Sequence, residues 1–328
     1  MKKQSDEITA FHSENLEEIL SKVKFKTEYP FSDEMLKLCK ETNSFRQEYY
    51  YIERGSDYAF FIVYYNRLNV FTLGKKELFM NVKTIGYPCS LSECGFITNN
   101  QKFMLEYIRK IKGAKLVLNV QNPVPLKNSV LGETLPTCVL DVDYQTADEY
   151  LSKLRSSYRR RINIAKKKSE GVCVKKVTSL SDEEYRMYLN TYEKSDFKLE
   201  KMEKEFFDRV DGVKLVFYSD NDPLGFVLLK EEKEKLTFML CGMNYDRPTA
   251  DLYYYMLFNI VEYAIDNNFK KIDFGQTSEQ TKMKFGALLE KRYFYALHSN
   301  FFWSIFAKAT KPLLEYRYSF PNYRVLKE

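Results

Sequence analysis

The chain has 328 residues, 45% hydrophobic and 29% charged residues, and a formal net charge of +6. Single cores stop growing at roughly 250–300 residues and domains cluster near 100–150, so the length predicts two domains of similar size. The composition excludes a disordered chain. The mild basic excess permits an anionic ligand, such as a phosphate-bearing cofactor, without requiring nucleic acid.

Cysteine and histidine usage argues against a metal centre. The six cysteines contain no CxxC pair, and the only two histidines, His12 and His298, lie far apart, so no zinc site is predicted.

No stretch approaches the roughly 18 apolar residues of a membrane span. The first residues, MKKQSDEITA, lack the apolar region of a signal peptide. We therefore expect reduced thiols and a cytoplasmic location.

The first 120 residues show helix and strand patterns in an α+β order. Caps and apolar periodicity predict helices at Glu14–Lys22, Ser32–Glu41 and Asn100–Ile111. Aromatic and β-branched runs predict strands at Tyr49–Glu53, Tyr58–Tyr65, Asn69–Leu73, Val82–Gly86 and Lys115–Val120. The order is typical of an antiparallel meander followed by a helix and a further strand.

The segment Gln121–Pro136 breaks this periodicity. It contains three prolines and Gly132, which disfavour a helix or a central strand. We therefore place the domain boundary here, between an N-terminal domain of residues 1–136 and a C-terminal domain of residues 137–328.

The second half repeats the coarse order of the first. Helices are predicted at Ala147–Ser169, which is strongly basic, and at Asp182–Ser195, Glu200–Val210, Leu252–Asn267 and Glu279–Phe285. Strands are predicted at Thr137–Val142, Val213–Ser219, Gly225–Glu231, Lys235–Met243, Lys270–Phe274 and Tyr293–His298, the last closing the core. The tail offers an amphipathic helix over Phe302–Leu314, which we expect to pack on its own domain.

Three stretches carry a resemblance to a known family. Residues 273–287 read DFG-x-T-x4-K-x2-FGA, which resembles the C-terminal motif of the Fem-like GNAT acyltransferases, a group that includes peptidoglycan-bridge transferases. The basic run Leu154–Lys168 resembles the helix that opens their second domain, and Thr84–Pro88 resembles a loop of their first. The resemblance implies two tandem GNAT-like domains, each a mixed, mainly antiparallel central sheet flanked by helices. It places donor binding and chemistry in the second domain and an acceptor groove without cofactor in the first.

The sequence departs from that family in two places. The stretch between Ser169 and Val213 has room for two short helices only, whereas peptidoglycan-bridge transferases commonly insert a long helical arm. This favours acyl-CoA, with acetyl-CoA as the expected form, over aminoacyl-tRNA as donor. The stretch Tyr245–Asp251 occupies the place of the usual glycine-rich pyrophosphate loop and contains no glycine. An aminoacyl-tRNA-dependent peptidyltransferase and a catalytically degenerate binding protein therefore stay open as alternatives.

The candidate catalytic residues follow the strand Lys270–Phe274. Glycine at position 275 would let the backbone turn, and Thr277 or Ser278 could cap the next helix. Free N–H groups at a helix start suit an anion or oxyanion. The turn thus groups Gln276, a candidate cofactor contact, with the catalytic candidates Thr277 and Lys282. Asp273 either orients the acceptor amine as a base or is a structural carboxylate.

The remaining candidates lie elsewhere in the second half. Tyr245 and Arg247 lie where GNAT enzymes bind the cofactor's pyrophosphate. The Arg247 guanidinium could donate hydrogen bonds to the pyrophosphate in place of the glycine backbone. The alternative is a solvated loop. Arg155 and Arg159 flank the apolar stripe of the basic helix and are candidate substrate contacts, although a charged helix face is commonly only solvated. The sequence predicts an N-acyltransferase that uses acyl-CoA, needs no metal, and acylates an amine of a small-molecule or peptidoglycan-like acceptor.

Overall fold

The computed structural model describes residues 7–69, 77–89, 92–197, 200–247, 251–300, 302, 308–309 and 311–327. The chain divides into two compact units. The first unit comprises Met1–Leu135, Leu199–Met202 and Lys291–Tyr318. The second comprises Pro136–Lys198, Glu203–Glu290 and Ser319–Glu328. Two short segments from the second half of the sequence thus belong to the first unit.

The first unit is built on a mixed sheet with one parallel pair. Its strands are β1 (Thr9–Ser13), β2 (Gln47–Arg54), β3 (Asp57–Asn69), β4 (Phe79–Ile85), β5 (Phe96–Thr98), β6 (Ala114–Val120) and the later part of β13 (Leu288–His298). Its helices are α1 (Leu16–Leu20), α2 (Asp33–Glu41) and α3 (Gln101–Lys110). The strands lie in the order β1-β2-β3-β4-β6-β13, with β5 paired to β3. Neighbours are antiparallel except β4 and β6.

The second unit has the same kind of sheet. Its strands are the later part of β7 (Val130–Asp141), β8 (Cys173–Val177), β9 (Val213–Ser219), β10 (Asp222–Glu231), β11 (Lys235–Met243) and β12 (Lys271–Asp273). Its helices are α4 (Ala147–Lys153), α5 (Ser156–Lys168), α6 (Asp182–Lys194), α7 (Lys204–Arg209), α8 (Leu252–Asp266) and α9 (Glu279–Met283). The order is β7-β12-β11-β10-β9-β8, with β11 and β12 as the parallel pair.

Each unit follows one plan: an antiparallel meander, a crossover helix, and a strand parallel to the last strand of the meander. In the first unit these parts are β4, α3 and β6; in the second they are β11, α8 and β12. Parallel neighbours need such a crossover, which a helix commonly supplies. In the second unit α8 buries a broad apolar surface in the core, including Met256, Ile260 and Ala264. The predicted α+β architecture, with a mainly antiparallel sheet flanked by helices in each half, is confirmed.

Two predicted segments in the middle of the chain were wrong. The basic helix Ala147–Ser169 is two helices, because Leu154 is extended and forms an antiparallel bridge with Leu326. The segment Gln121–Pro136 was predicted to disfavour a strand, yet β7 begins at Val130. Position 132 within β7 requires glycine, because the Cβ of any other residue would lie only 2.6 Å from the Phe294 ring.

The strand Tyr293–His298 was expected to close the core of the second domain. It instead pairs with β6 in the first unit, where Tyr295 lies opposite Val117. Strands β1, β5 and β8 were not predicted, because they are short and carry few buried residues. From the predicted tail helix Phe302–Leu314 the structure describes residues 302, 308–309 and 311–314, the last four as α10 (Lys311–Leu314). Residues 303–307 and 310 lie outside the described residues, as do residues 70–73 of the predicted strand Asn69–Leu73.

Candidate active site in the second unit

The candidate site lies where the parallel strands β11 and β12 separate. They pair only from Lys235/Lys271 to Thr237/Asp273. β11 then continues to Met243, roughly 20 Å further at about 3.3 Å per residue. The chain after β12 turns away through Gly275–Ser278 into α9. β11 thus continues past the point where its pairing with β12 ends, and the loop Gly275–Ser278 follows β12 there.

The loop Gly275–Ser278 has an unusual backbone. Gly275, Thr277 and Ser278 have φ angles of 71°, 62° and 52°. Glycine adopts this left-handed region readily, but a β-branched residue does so rarely. Such conformations cost about 1–3 kcal/mol each and cluster at functional sites. Ser278 occupies the N-cap position of α9 as predicted, but its side chain forms no capping hydrogen bond.

Asp273 fixes the start of this loop. Its side chain is 4% exposed, and its Oδ1 atom accepts hydrogen bonds from Thr137 Oγ1 at 2.6 Å and from the Gly275 N–H at 2.8 Å. This geometry matches the structural alternative drawn from the sequence, because the carboxylate oxygen is engaged in holding the turn.

Lys282 holds the same turn from the other side. It is 2% exposed, and its Nζ atom donates to Gln276 O at 2.7 Å and to Gly275 O at 3.3 Å. Burial lowers the pKa of Lys282, while nearby Cys138 and Cys241 act in the opposite direction. The Gly275 residue is therefore held at its N–H by Asp273 and at its C=O by Lys282.

Sequence reasoning missed Tyr253, which lies in the first turn of α8. Burial raises the pKa of its phenol, as does the proximity of Cys241, whereas a hydrogen bond with Ser278 lowers it. The phenol therefore stays protonated at neutral pH and lies beside the strained loop. Its only sequence signal was its place at the start of the long helix after β11, which by itself does not separate it from its neighbours Tyr254 and Tyr255.

Tyr245 and Arg247 follow the end of β11, beyond Met243. The Lys194 ammonium lies 3.7 Å from the centroid of the Tyr245 ring. Arg247 forms an ion pair with Asp222. Of the three predicted cofactor contacts, only Gln276 thus lies on the loop itself.

A carboxylate occupies the start of α8. Asp251 is the N-cap residue at φ 74°, and it forms ion pairs with Arg161 and, at 3.1 Å, with Lys168. The hydrogen bond from Arg161 is the main reason that the pKa of Asp251 falls to about 2. The Arg161 guanidinium also lies 4.2 Å from the Tyr254 ring centroid. Helix N-termini favour negative charge, and Asp251 supplies it; the neighbouring residues 248–250 lie outside the described residues.

The predicted substrate contacts lie at the start of α5. The backbone N–H of Arg155 donates to Val325 O at 2.9 Å, and its Nε atom donates to Leu326 O at 3.2 Å. Arg155 therefore anchors the C-terminal segment. Arg159, one turn later, is half-buried. Within the part of the chain that the structure describes, neither side chain forms a hydrogen bond or ion pair with the loop Gly275–Ser278.

In the described ranges, no group of three or more His, Cys, Asp or Glu side chains could hold a metal ion. None of the helices within those ranges has the length and apolar character needed to cross a membrane.

Comparisons with known proteins bear on the fold. No protein-family profile matches the sequence, and no curated protein matches it significantly. The C-terminal domain of a proposed lysylphosphatidylglycerol synthetase from Agrobacterium fabrum superposes with a TM-score of 0.51 at 13% identity, over 78% of this chain and 85% of that one. FemX gives a TM-score of 0.47 at 12% identity over 92% of this chain and 100% of that one. A tandem GNAT protein from the clavulanic acid pathway gives 0.48 at 7% identity over 90% and 99%.

Sequence identities this low show a similarity of fold only. Each unit carries the mixed, mainly antiparallel sheet flanked by helices that the resemblance implied. The fold of the chain is similar to that of the Agrobacterium fabrum domain, and the motif at residues 273–287 resembles that of the Fem-like GNAT transferases.

Proposed function

We propose that the protein is an N-acyltransferase and that its reaction centre lies between β11 and the loop Gly275–Ser278. The observation that carries this proposal is the loop itself. Its Gly275 residue is held by Asp273 and Lys282, and Thr277 is kept at φ 62°. A backbone so constrained offers fixed N–H groups and a hydroxyl to developing negative charge, the type of preorganisation that stabilises an oxyanion.

The chemistry needs no covalent intermediate. The neutral amine nitrogen attacks the thioester carbonyl carbon, a C–N bond forms, and the carbonyl oxygen becomes the oxyanion. The C–S bond then breaks, the amine loses its proton, and the departing thiolate gains one. Holding the reactants together can supply roughly 7–11 kcal/mol of the barrier.

Tyr253 suits the protonation of the leaving thiolate. Its phenol is protonated at neutral pH and lies beside the loop through a hydrogen bond with Ser278, so its O–H group is placed to donate to the departing sulfur. Asp273 and Lys282 act as positioning residues, because their polar atoms bind the backbone of the turn.

Acyl-CoA is the proposed donor. Beyond Thr237, β11 has no β12 partner, and an extended amide-bearing chain such as pantetheine can hydrogen-bond along a free strand edge. Arg161 and Lys168 supply positive charge at the start of α8, where a diphosphate would compete with the Asp251 carboxylate. Replacing Asp251 with asparagine should therefore strengthen acetyl-CoA binding, whereas an unchanged or weaker affinity would place the diphosphate elsewhere.

An aminoacyl-tRNA donor is the second candidate. It is favoured by the exposed basic residues of α5, among them Arg160 and Lys167, and by the lack of a glycine-rich loop after β11. Binding of tRNA through such a surface would weaken steeply with salt.

The decisive experiment measures CoA release from acetyl-CoA with a thiol reagent across a panel of amine acceptors. The protein is compared with Tyr253→Phe and with the exposed control Lys270→Met, and thermal shift titrations with acetyl-CoA and with tRNA run in parallel. We expect amine-dependent release that falls in Tyr253→Phe and persists in Lys270→Met. A response to tRNA alone would favour the second candidate. No turnover and no binding of either donor would leave a binding-only protein.

A further inference from the structure

A separate cleft opens in the first unit, where β6 begins beside β4. It has a volume of about 390 Å³, and its walls include Tyr65, Asn66, Arg67, Asn81, Lys83 and Gly113. β6 pairs with β4 only from Lys83 onward, so the earlier part of β4 forms an open wall. A Cβ at Gly113 would meet no atom within 4 Å. The volume is in the range of roughly 300–1,000 Å³ common for small-molecule sites.

The cleft concentrates positive charge. Arg67 and Lys83 both line it, and neither forms an ion pair with a carboxylate in the described part of the chain. Lys115 lies directly opposite Lys83 on the neighbouring strand. Like charges placed opposite each other across strands are destabilising. Burial, and to a smaller extent the charge of Lys83, lowers the pKa of Lys115 to about 8.

A carboxylate beside Tyr65 is already engaged. Glu48 is paired with Arg46 at 2.9 Å and hydrogen-bonds with Tyr65. The Arg46 guanidinium and the Lys83 ammonium lie 4.9 Å and 5.3 Å from the centroid of the Tyr65 ring. The ring therefore positions cations at the cleft wall, and Glu48 neutralises Arg46 rather than Lys83.

The wall also holds an unused hydrogen-bond donor. Asn66 is 9% exposed, and its Oδ1 atom accepts a hydrogen bond from Thr84 Oγ1 at 2.8 Å. Its Nδ2 atom is buried and has no hydrogen-bond partner among the described residues. A buried polar group without a partner costs about 1–3 kcal/mol. A ligand with a hydrogen-bond acceptor within reach of a small movement of the Asn66 side chain would therefore be bound more tightly.

From these observations we propose that the cleft binds a small organic oxyanion, a phosphate ester or a carboxylate, through Arg67 and Lys83 with the Asn66 amide as an additional donor. The ligand supplies the negative charge that the protein does not place beside the two cations. Nothing in this proposal depends on the transferase activity of the second unit.

Isothermal titration at low ionic strength with inorganic pyrophosphate and with citrate tests it. The protein is compared with the double variant Arg67→Ala/Lys83→Ala and with Lys110→Ala, an exposed lysine on α3. Because each charged contact is worth about tenfold or more in affinity, the double variant should bind at least tenfold more weakly, while Lys110→Ala binds as the parent does. Circular dichroism melts check that the double variant is folded.

The titrations also distinguish the ligand classes. Binding of pyrophosphate alone indicates a phosphate ester, binding of citrate alone indicates a carboxylate, and binding of both indicates an oxyanion site without preference. The proposal is overturned if neither compound binds the parent protein, or if the folded double variant binds them as tightly as the parent does.

Discussion

Thr277 is a β-branched residue held at φ 62°, and replacing it with glycine isolates the cost of that conformation. Left-handed backbone costs a non-glycine residue about 1–3 kcal/mol. Glycine removes this strain but loses about 0.5–1 kcal/mol through the greater freedom of the unfolded chain. The two contributions predict that Thr277→Gly raises the free energy of unfolding by about 1 kcal/mol, or the midpoint by roughly 2–4 °C for a domain of this size.

Thermal unfolding followed by circular dichroism measures the change. Asn268→Gly is the matched control, because Asn268 has φ 60° in the same unit and asparagine tolerates the left-handed region; its midpoint should move little. The rate of acyl transfer by Thr277→Gly is the second measurement. If the strain serves the reaction, the more stable Thr277→Gly protein should be the slower transferase. A Thr277→Gly protein that is less stable than the parent would show that the contacts of the threonine side chain outweigh the backbone strain.

Three further predictions concern named contacts. Lys282→Met removes both bonds to the loop carbonyls and should lower the free energy of unfolding by about 1–3 kcal/mol, measured by urea denaturation; an unchanged midpoint would show that Lys282 does not hold the turn. Because the pKa of Asp251 falls from 3.8 to about 2 on folding, its stabilisation is complete above about pH 4 and lost as pH falls through 2. Asp251→Asn should therefore be about 1–2 kcal/mol less stable at pH 7, after a discount for the half-exposed partners, and a gap that persists at pH 2 would contradict this assignment. Tyr64→Phe removes the 2.5 Å hydrogen bond to buried Glu200 in the first unit and should cost about 1–3 kcal/mol in a thermal melt, whereas a neutral effect would mean that the pair contributes nothing.

Local signals predicted elements whose boundaries depend on nearby residues. The predicted strand Lys235–Met243 coincides with β11, because a charged turn precedes it and apolar residues continue along it. The helix Ser32–Glu41 begins as expected, with the Ser32 side chain accepting from the Met35 N–H. Such signals lie within a few residues of the boundary that they set.

The failures depended on residues distant in sequence. The break at Leu154 follows from pairing with Leu326, and the placement of β13 beside β6 follows from contacts between residues such as Tyr295 and Val117. Neither partner is indicated by local periodicity.

The candidate site divides in the same way. The motif at residues 273–287 directed attention to the turn after β12, where Asp273 and Lys282 hydrogen-bond with the backbone of Gly275 and Gln276. It could not reveal the left-handed backbone of Thr277, which depends on the anchoring of its neighbours. Nor could it show that the predicted contact Arg247 is paired with Asp222, a partner from another strand.

Single-turnover transfer of a radiolabelled acetyl group from acetyl-CoA to an amine shows whether acyl transfer takes place between β11 and the loop Gly275–Ser278. Parent protein, Tyr253→Phe and Lys270→Met are compared at equal folded concentration. We expect amine acetylation by the parent and by Lys270→Met, with a rate reduced about 100-fold in Tyr253→Phe, the lower end of the range for general acid–base groups. Equal rates in the parent and in Tyr253→Phe would rule out Tyr253 as the proton donor, and no transfer by the folded parent to any amine would rule out the proposed reaction.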